Sequence, residues 1–153
     1  METAFDIAMQ NRKAFSGFLK NTPYDDLVKI PPGFRNNIFW NIAHVVAIQQ
    51  QLLYKRSGLE MMIDSDLEKK YGNGSVPEER VSQEEIERID SLLLNCIRQS
   101  REDYSKNIFR EYKELTTRAG VVLKNIDDAI HFNTYHEGLH LGYIFSLFKA
   151  INN

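Results

Sequence analysis

The stretch from Asn36 to Gly58 constrains this chain more than any other, because its apolar residues leave no polar face over three helical turns. Ile38, Phe39, Trp40, Ile42, Val45, Val46, Ile48, Leu52 and Leu53 spread around most of the circumference that a helix there would have. A helix that is apolar all round lies inside a core, so the rest of the chain has to be built around it. Three further segments have the period to supply that cover. Residues 3 to 19 place Phe5, Ala8, Met9, Phe15, Phe18 and Leu19 along one side, and Thr22-Pro23 stops them. A third helix is announced by the capping box Ser82-Gln83-Glu84-Glu85, presents Ile86, Ile89, Leu93, Cys96 and Ile97 inward, and ends before Asn107. The fourth opens at Asn125, with Asp127 and Asp128 in its first turn, and runs to about Ile151.

Pro and Gly punctuate the connections. Ile30-Pro31-Pro32-Gly33 reads as a rigid turn, Asn36 as the cap of the second helix and Gly58 as its stop. The long link over residues 59–81 carries Gly72-Asn73-Gly74 and Pro77, with a short helical piece expected over 65–71. In residues 108–123, Thr116, Thr117, Val121 and Val122 favour extended structure and Gly120 a turn. Four amphipathic segments with long connections predict an all-α fold, a four-helix bundle, as one domain over residues 1–153.

At 153 residues such a bundle buries a substantial core without disulfides. The one cysteine, Cys96, sits on the inner side of the third helix and reads as a buried thiol in a chain suited to a reducing compartment. The 19 basic and 21 acidic residues are well mixed, with no basic face for nucleic acid. The amino terminus lacks the pattern of a secretory signal, and no apolar run is long enough for a membrane span. A cytoplasmic protein with a small-molecule partner, rather than nucleic acid or membrane, is the expectation.

Chemistry concentrates in His136-Glu137-Gly138-Leu139-His140. Four positions apart on a helix, two imidazoles stack on one face with Cβ atoms about 6 Å apart, a spacing that suits one shared metal ion. The positions Ala129, Phe132, His136, His140, Tyr143, Leu147 and Ile151 follow the spacing of a core stripe, which predicts that both histidines point inward. Two buried neutral imidazoles need hydrogen-bond partners or a metal. A third, His44, lies in the middle of the most apolar helix, and this convergence favours a metal over a pair of satisfied core histidines. His131, five positions before His136, is rotated away from it and reads as a surface residue.

The pentad also matches the His-Glu-x-x-His signature of zinc peptidases, whose glutamate activates metal-bound water. Such enzymes take a third ligand further down the chain. After His140 there is no His, Glu or Asp, and the sixth position on is Ser146, so a peptidase is disfavoured. Glu137 instead reads as a residue that hydrogen-bonds a neighbouring helix, orients an imidazole or works as an acid–base group. Tyr143 is the other candidate catalytic residue, with a plain core aromatic as its alternative. Asn37 and Asn41 share a stripe with His44, and Asn133 lies three positions before His136. Each is a candidate contact to substrate or to an imidazole, with helix capping for Asn37 and a local hydrogen bond for Asn41 as alternatives. Gly138 and Gly142 leave a smooth strip for helix packing.

Asn36-Asn37-Ile38-Phe39-Trp40-Asn41-Ile42-Ala43-His44 and His136-Glu137-Gly138-Leu139-His140-Leu141-Gly142-Tyr143-Ile144 together resemble the two signatures of the DinB-like superfamily. The resemblance extends to Tyr54-Lys55-Arg56-Ser57-Gly58 and is weak over residues 60–125. It implies an up-down-down-up four-helix bundle, a divalent metal held by His44, His136 and His140, and a homodimer. Similar proteins include transferases and isomerases that use bacillithiol, mycothiol or a related low-molecular-weight thiol. Three neutral nitrogens leave coordination positions open, as in catalytic sites. Zn is the expected ion, with Ni, Fe or Mn compatible with the same ligands. Two functions are therefore carried forward: a metal-dependent thiol transferase or hydrolase, and a non-catalytic, stress-related protein that binds metal or small molecules.

Overall fold

The computed structural model describes residues 1 to 152. Four long helices form the bundle: α1 (Glu2–Asn21), α3 (Ile38–Leu53), α5 (Gln83–Ser105) and α6 (Ile126–Asn152). Between them lie the short α2 (Tyr24–Val28), a 3-10 turn (Lys55–Ser57), α4 (Ser65–Tyr71) and a two-stranded hairpin, β1 (Leu115–Thr116) with β2 (Val122–Leu123). The apolar helix lies in the centre, as its composition requires: of α3, only Gln51 escapes full burial. Asn37 rather than Asn36 caps it, accepting the Trp40 N–H at 2.8 Å.

Side-chain pairs fix the helix directions. Gln49 donates to Ser100 and Tyr54 to Asp103, so α3 and α5 run parallel. Ser16 meets Asp90 while Glu2 and Asp6 meet Arg101, so α1 and α5 are antiparallel. Arg12 reaches Glu137 and Phe18 reaches Phe145, so α1 and α6 are parallel. The order is up-down-down-up, and the parallel α3–α5 pair explains the long link after Gly58: the chain has to travel the length of the bundle before α5 can start. That link carries α4 where a helical piece was expected, and the hairpin forms where β-branched residues flank Gly120, whose φ is +80°.

Three expectations are corrected. The helix of residues 36–57 stops being α-helical at Leu53, because the chain tightens into the 3-10 turn that delivers Gly58 to the left-handed region at φ +71°. The capping box is half formed: Ser82 Oγ accepts the Glu85 N–H, but the Glu85 carboxylate turns to the Tyr71 hydroxyl and Lys70 on α4. The buried face of α6 is rotated from the predicted stripe. Ala129 and Leu147 are buried as expected, but Phe132, His136, His140 and Ile151 are only half-buried and Tyr143 is exposed, while Ile130, Asn133, Glu137 and Ile144 face the core. Apolar periodicity misplaces this face because a glutamate occupies its centre. The helix α2 went unforeseen, since five residues carry no periodicity.

Candidate metal centre

The central helix and α6 cross antiparallel, and the crossing brings His44 to His136 and His140. One ring nitrogen from each lies within 4.8 Å of the other two. The imidazole centroids are 4.9 Å apart for His44 and His140, 5.3 Å for His44 and His136, and 4.5 Å for the α6 pair. The Nε2 atoms of His136 and His140 stand 3.1 Å apart. Two nitrogens bonded to one ion at about 2.1 Å are separated by roughly 3.0–3.4 Å in octahedral or tetrahedral geometry, so this spacing suits co-ligands as well as an N–H···N hydrogen bond between the rings.

Two of the rings have their protons assigned by their surroundings. His44 donates Nδ1–H to the Tyr71 carbonyl at 2.6 Å, and a carbonyl only accepts, so its Nε2 is left with a lone pair. Tyr71 ends α4, where backbone carbonyls lack helical partners. Gly72 lets that end approach: a Cβ there would stand 2.5 Å from the Glu68 carbonyl and 3.2 Å from the Gln51 amide. Trp40, one turn before, stacks on the His44 ring at 4.5 Å with 14° between planes. His140 donates Nδ1–H to Asn41 Oδ1 at 2.7 Å, and Asn41 is itself oriented by donating to Asn36 Oδ1 and to the Asn37 carbonyl. These are the outer contacts that hold metal-ligating imidazoles in one tautomer. His136 Nδ1 is buried without a protein partner.

All three imidazoles are held in the neutral form. Burial lowers the pKa of His136 to about 2, helped by repulsion from His140 and His44, and that of His140 to about 4, with His44 contributing. Burial also lowers the His44 pKa; its hydrogen bond to Tyr71 opposes this, and the Arg118 charge adds to it. Neutral, converging nitrogens, with the lone pairs of His44 and His140 left on Nε2, make up a donor set that suits a divalent ion.

Above the rings opens a cleft of about 370 Å³. Ile48, Leu52, Phe132 and Leu139 give it apolar walls, and the hairpin segment around Arg118 overhangs it. Arg118, Trp40 and Tyr71 are site residues that sequence reasoning missed as such. Arg118 falls in a stretch whose fold was ambiguous, and Tyr71 contributes only a backbone atom, which no side-chain pattern reveals.

The other candidates lie elsewhere. Glu137 is fully buried beside the equally buried Arg12, which reaches its Oε1 through Nε at 3.0 Å and Nη2 at 2.7 Å. Asn133 donates to the same oxygen at 2.8 Å and so belongs to this pair rather than to the imidazoles. Tyr143 lies edge-on against Phe34 and does not line the cleft. Asn37 caps α3 and donates to the Val28 carbonyl. His131 is exposed and borders a separate surface hollow near Val121. Of the three asparagines, only Asn41 touches a histidine of the centre.

Fold and site together define a class: a helical bundle with three neutral histidines from two antiparallel helices, arranged so that they could hold a metal ion. The family model described as DinB superfamily matches residues 8–144, and the chain belongs to that superfamily. No curated protein matches the chain.

Proposed function

We propose that this protein is a metal-dependent enzyme in which His44, His136 and His140 hold a divalent ion, zinc in the first instance, for nucleophile activation on a small molecule. The observation that carries this reading is the convergence of three neutral imidazoles on the floor of a cleft that leaves their open side accessible. A divalent ion so held supplies a lowered pKa to a bound thiol or water, giving a nucleophile near neutral pH. The chain's own groups do the rest. Tyr71 and Asn41 keep the Nδ1 protons in place, the apolar walls exclude water, and Arg118 offers a positive charge at the mouth.

Thiol transfer is favoured over hydrolysis because no aspartate or glutamate lines the cleft to relay the protons that an attacking water must lose. A thiol sheds its single proton on binding and then needs no further base. A low-molecular-weight thiol fits a reducing compartment such as the cytoplasm. The same lack of a carboxylate supports the second reading, a binding protein without turnover. Loading the purified protein with Co(II) and adding a small thiol separates the two. A sulfur-to-cobalt charge-transfer band with electrophile turnover supports the enzyme, and a metal-bound protein that neither binds nor alkylates thiols leaves the binding reading. His44→Ala should lower metal affinity by more than about 100-fold, measured by chelator competition.

A further inference from the structure

Beside the histidine cleft lies a second hollow of about 480 Å³, and Ile48, Leu52, Asn73 and Leu115 line both, so the two adjoin as a groove of two parts. The second hollow is framed by Lys55 and Arg56 at the end of the central helix and by Lys113 on the segment leading into the hairpin. Four cations, Lys55, Arg56, Lys113 and Arg118, line the groove, and no aspartate or glutamate does. This occurs in a chain whose acidic residues outnumber its basic ones, 21 to 19. The positive lining is therefore local and does not follow from net charge.

The cations are also placed together. Lys113 N–H donates to the Arg56 carbonyl at 2.7 Å, which pins the two residues side by side across the hollow. Lys55 is partly neutralised by Glu68, at 2.5 Å. Among the described residues, Arg56, Lys113 and Arg118 form no ion pair. An arginine beside a lysine in a concave site, neither paired, provides the forked and point donors that carboxylates and phosphates select. Between the levels of His44 and Lys55 the chain rises about 16 Å at helical pitch, and long side chains reach back over part of that length.

We infer that the groove is a two-part site for one elongated anionic molecule, whose reacting atom lies at the histidines and whose carboxylate or phosphate tail lies between Arg56 and Lys113. The inference rests on the proposed function for the histidine end alone; the cationic end stands on its own lining.

Calorimetric titration of the full chain at low ionic strength with succinate and with inorganic phosphate tests the tail subsite. Wild-type protein should bind at least one of them, succinate marking a carboxylate tail and phosphate a phosphorylated one. Arg56→Gln/Lys113→Gln should bind it about tenfold more weakly or worse. Thermal midpoints within about 3 °C of wild type verify that the variant, altered only at the surface, is folded. No binding of either anion, or equal affinity in the variant, overturns the inference. A second arm uses Co(II)-loaded protein with glutathione and its dimethyl ester, thiols that differ in their carboxylates. The free acid should bind about tenfold tighter to wild type, and the two should converge in the variant. If both give the cobalt–thiolate band with one affinity, the tail subsite falls and the metal reading stands. If neither gives the band while variant-sensitive succinate binding persists, the tail subsite stands and the thiol reading falls.

Discussion

Residues 136 and 137 are neighbours on one helix, yet they belong to two polar clusters of different kind, one a buried pair of opposite charges and the other a group of neutral imidazoles. On the core side, Glu137, Arg12 and Asn133 converge: Glu137 Oε1 takes three donors and Arg12 Nη2 also donates to the Val45 carbonyl, while Arg12 Nη1, Asn133 Oδ1 and Glu137 Oε2 are buried without a protein partner. On the cleft side, His44, His136 and His140 bring one ring nitrogen each within 4.8 Å of the others, with His136 and His140 meeting through Nε2 at 3.1 Å. The first cluster is closed off in the core, where its opposite charges cancel; the second is open to a cleft, where an ion could reach it. Polarity inside a bundle is thus not by itself a sign of function. What separates these two clusters is that opposite charges cancel inside the core in one, while neutral nitrogens gather at a cleft in the other.

The largest effect expected of this contrast is on the closed side. Glu137→Ala leaves the Arg12 charge buried without a partner and should destabilise the fold by about 3–5 kcal/mol, read from urea denaturation, whereas Arg12→Met/Glu137→Leu should recover most of the loss. A loss below about 1 kcal/mol for the single change would show that the pair is not sealed. Acid probes the open side. Above pH 6.5 the imidazoles are neutral whether the chain is folded or not; below it the unfolded chain takes up protons that the folded one refuses. Metal-free protein should therefore lose stability from pH 6.5 down towards 4, where His140 begins to charge in the fold, and the lost stability returns as pH rises. His136→Phe/His140→Phe should flatten that slope in urea midpoints taken from pH 7 to pH 4.5.

Smaller still is the effect of loosening one imidazole. Asn41→Ala removes the acceptor of His140 Nδ1–H and should weaken metal binding by about 10–100-fold while leaving helix content intact in circular dichroism. Tyr143→Phe should change metal affinity less than about twofold, since its ring lies against Phe34 outside the cleft. A large effect there would place the hydroxyl in the site after all.

The helices were legible because burial in a bundle imposes a period, and the all-apolar face of residues 38–53 could only be central. The three histidines were legible because metal ligands must repeat on one face and be echoed on another helix. Glu137 was weighed as a catalytic group because it stands in the His-Glu-x-x-His pattern and few other acid–base groups lie near the histidines in sequence. Its counterion, Arg12, does sit on the inner stripe of α1 with Phe5, Ala8, Phe15 and Leu19, but hydrophobic patterning scores such a position as a gap. For the same reason the buried face of α6 was misplaced: the pattern follows apolar side chains, while the core accepts a glutamate once an arginine neutralises it. Arg118 lay beyond reach because hairpin geometry, set by contacts distant in sequence, decides what it overhangs.

The carbonyl of Tyr71 has a consequence for how this centre can change. The crossover exists because two parallel helices must be joined, and its course would otherwise be free to drift. Here the last turn of α4, midway along the crossover and brought close by Gly72, clamps the Nδ1 proton of His44 on the central helix. Lengthening or shortening the crossover by one residue would swing that carbonyl aside and release His44 to rotate, with every histidine still in place. The linker is in this sense a tuning peg for the three-histidine cluster.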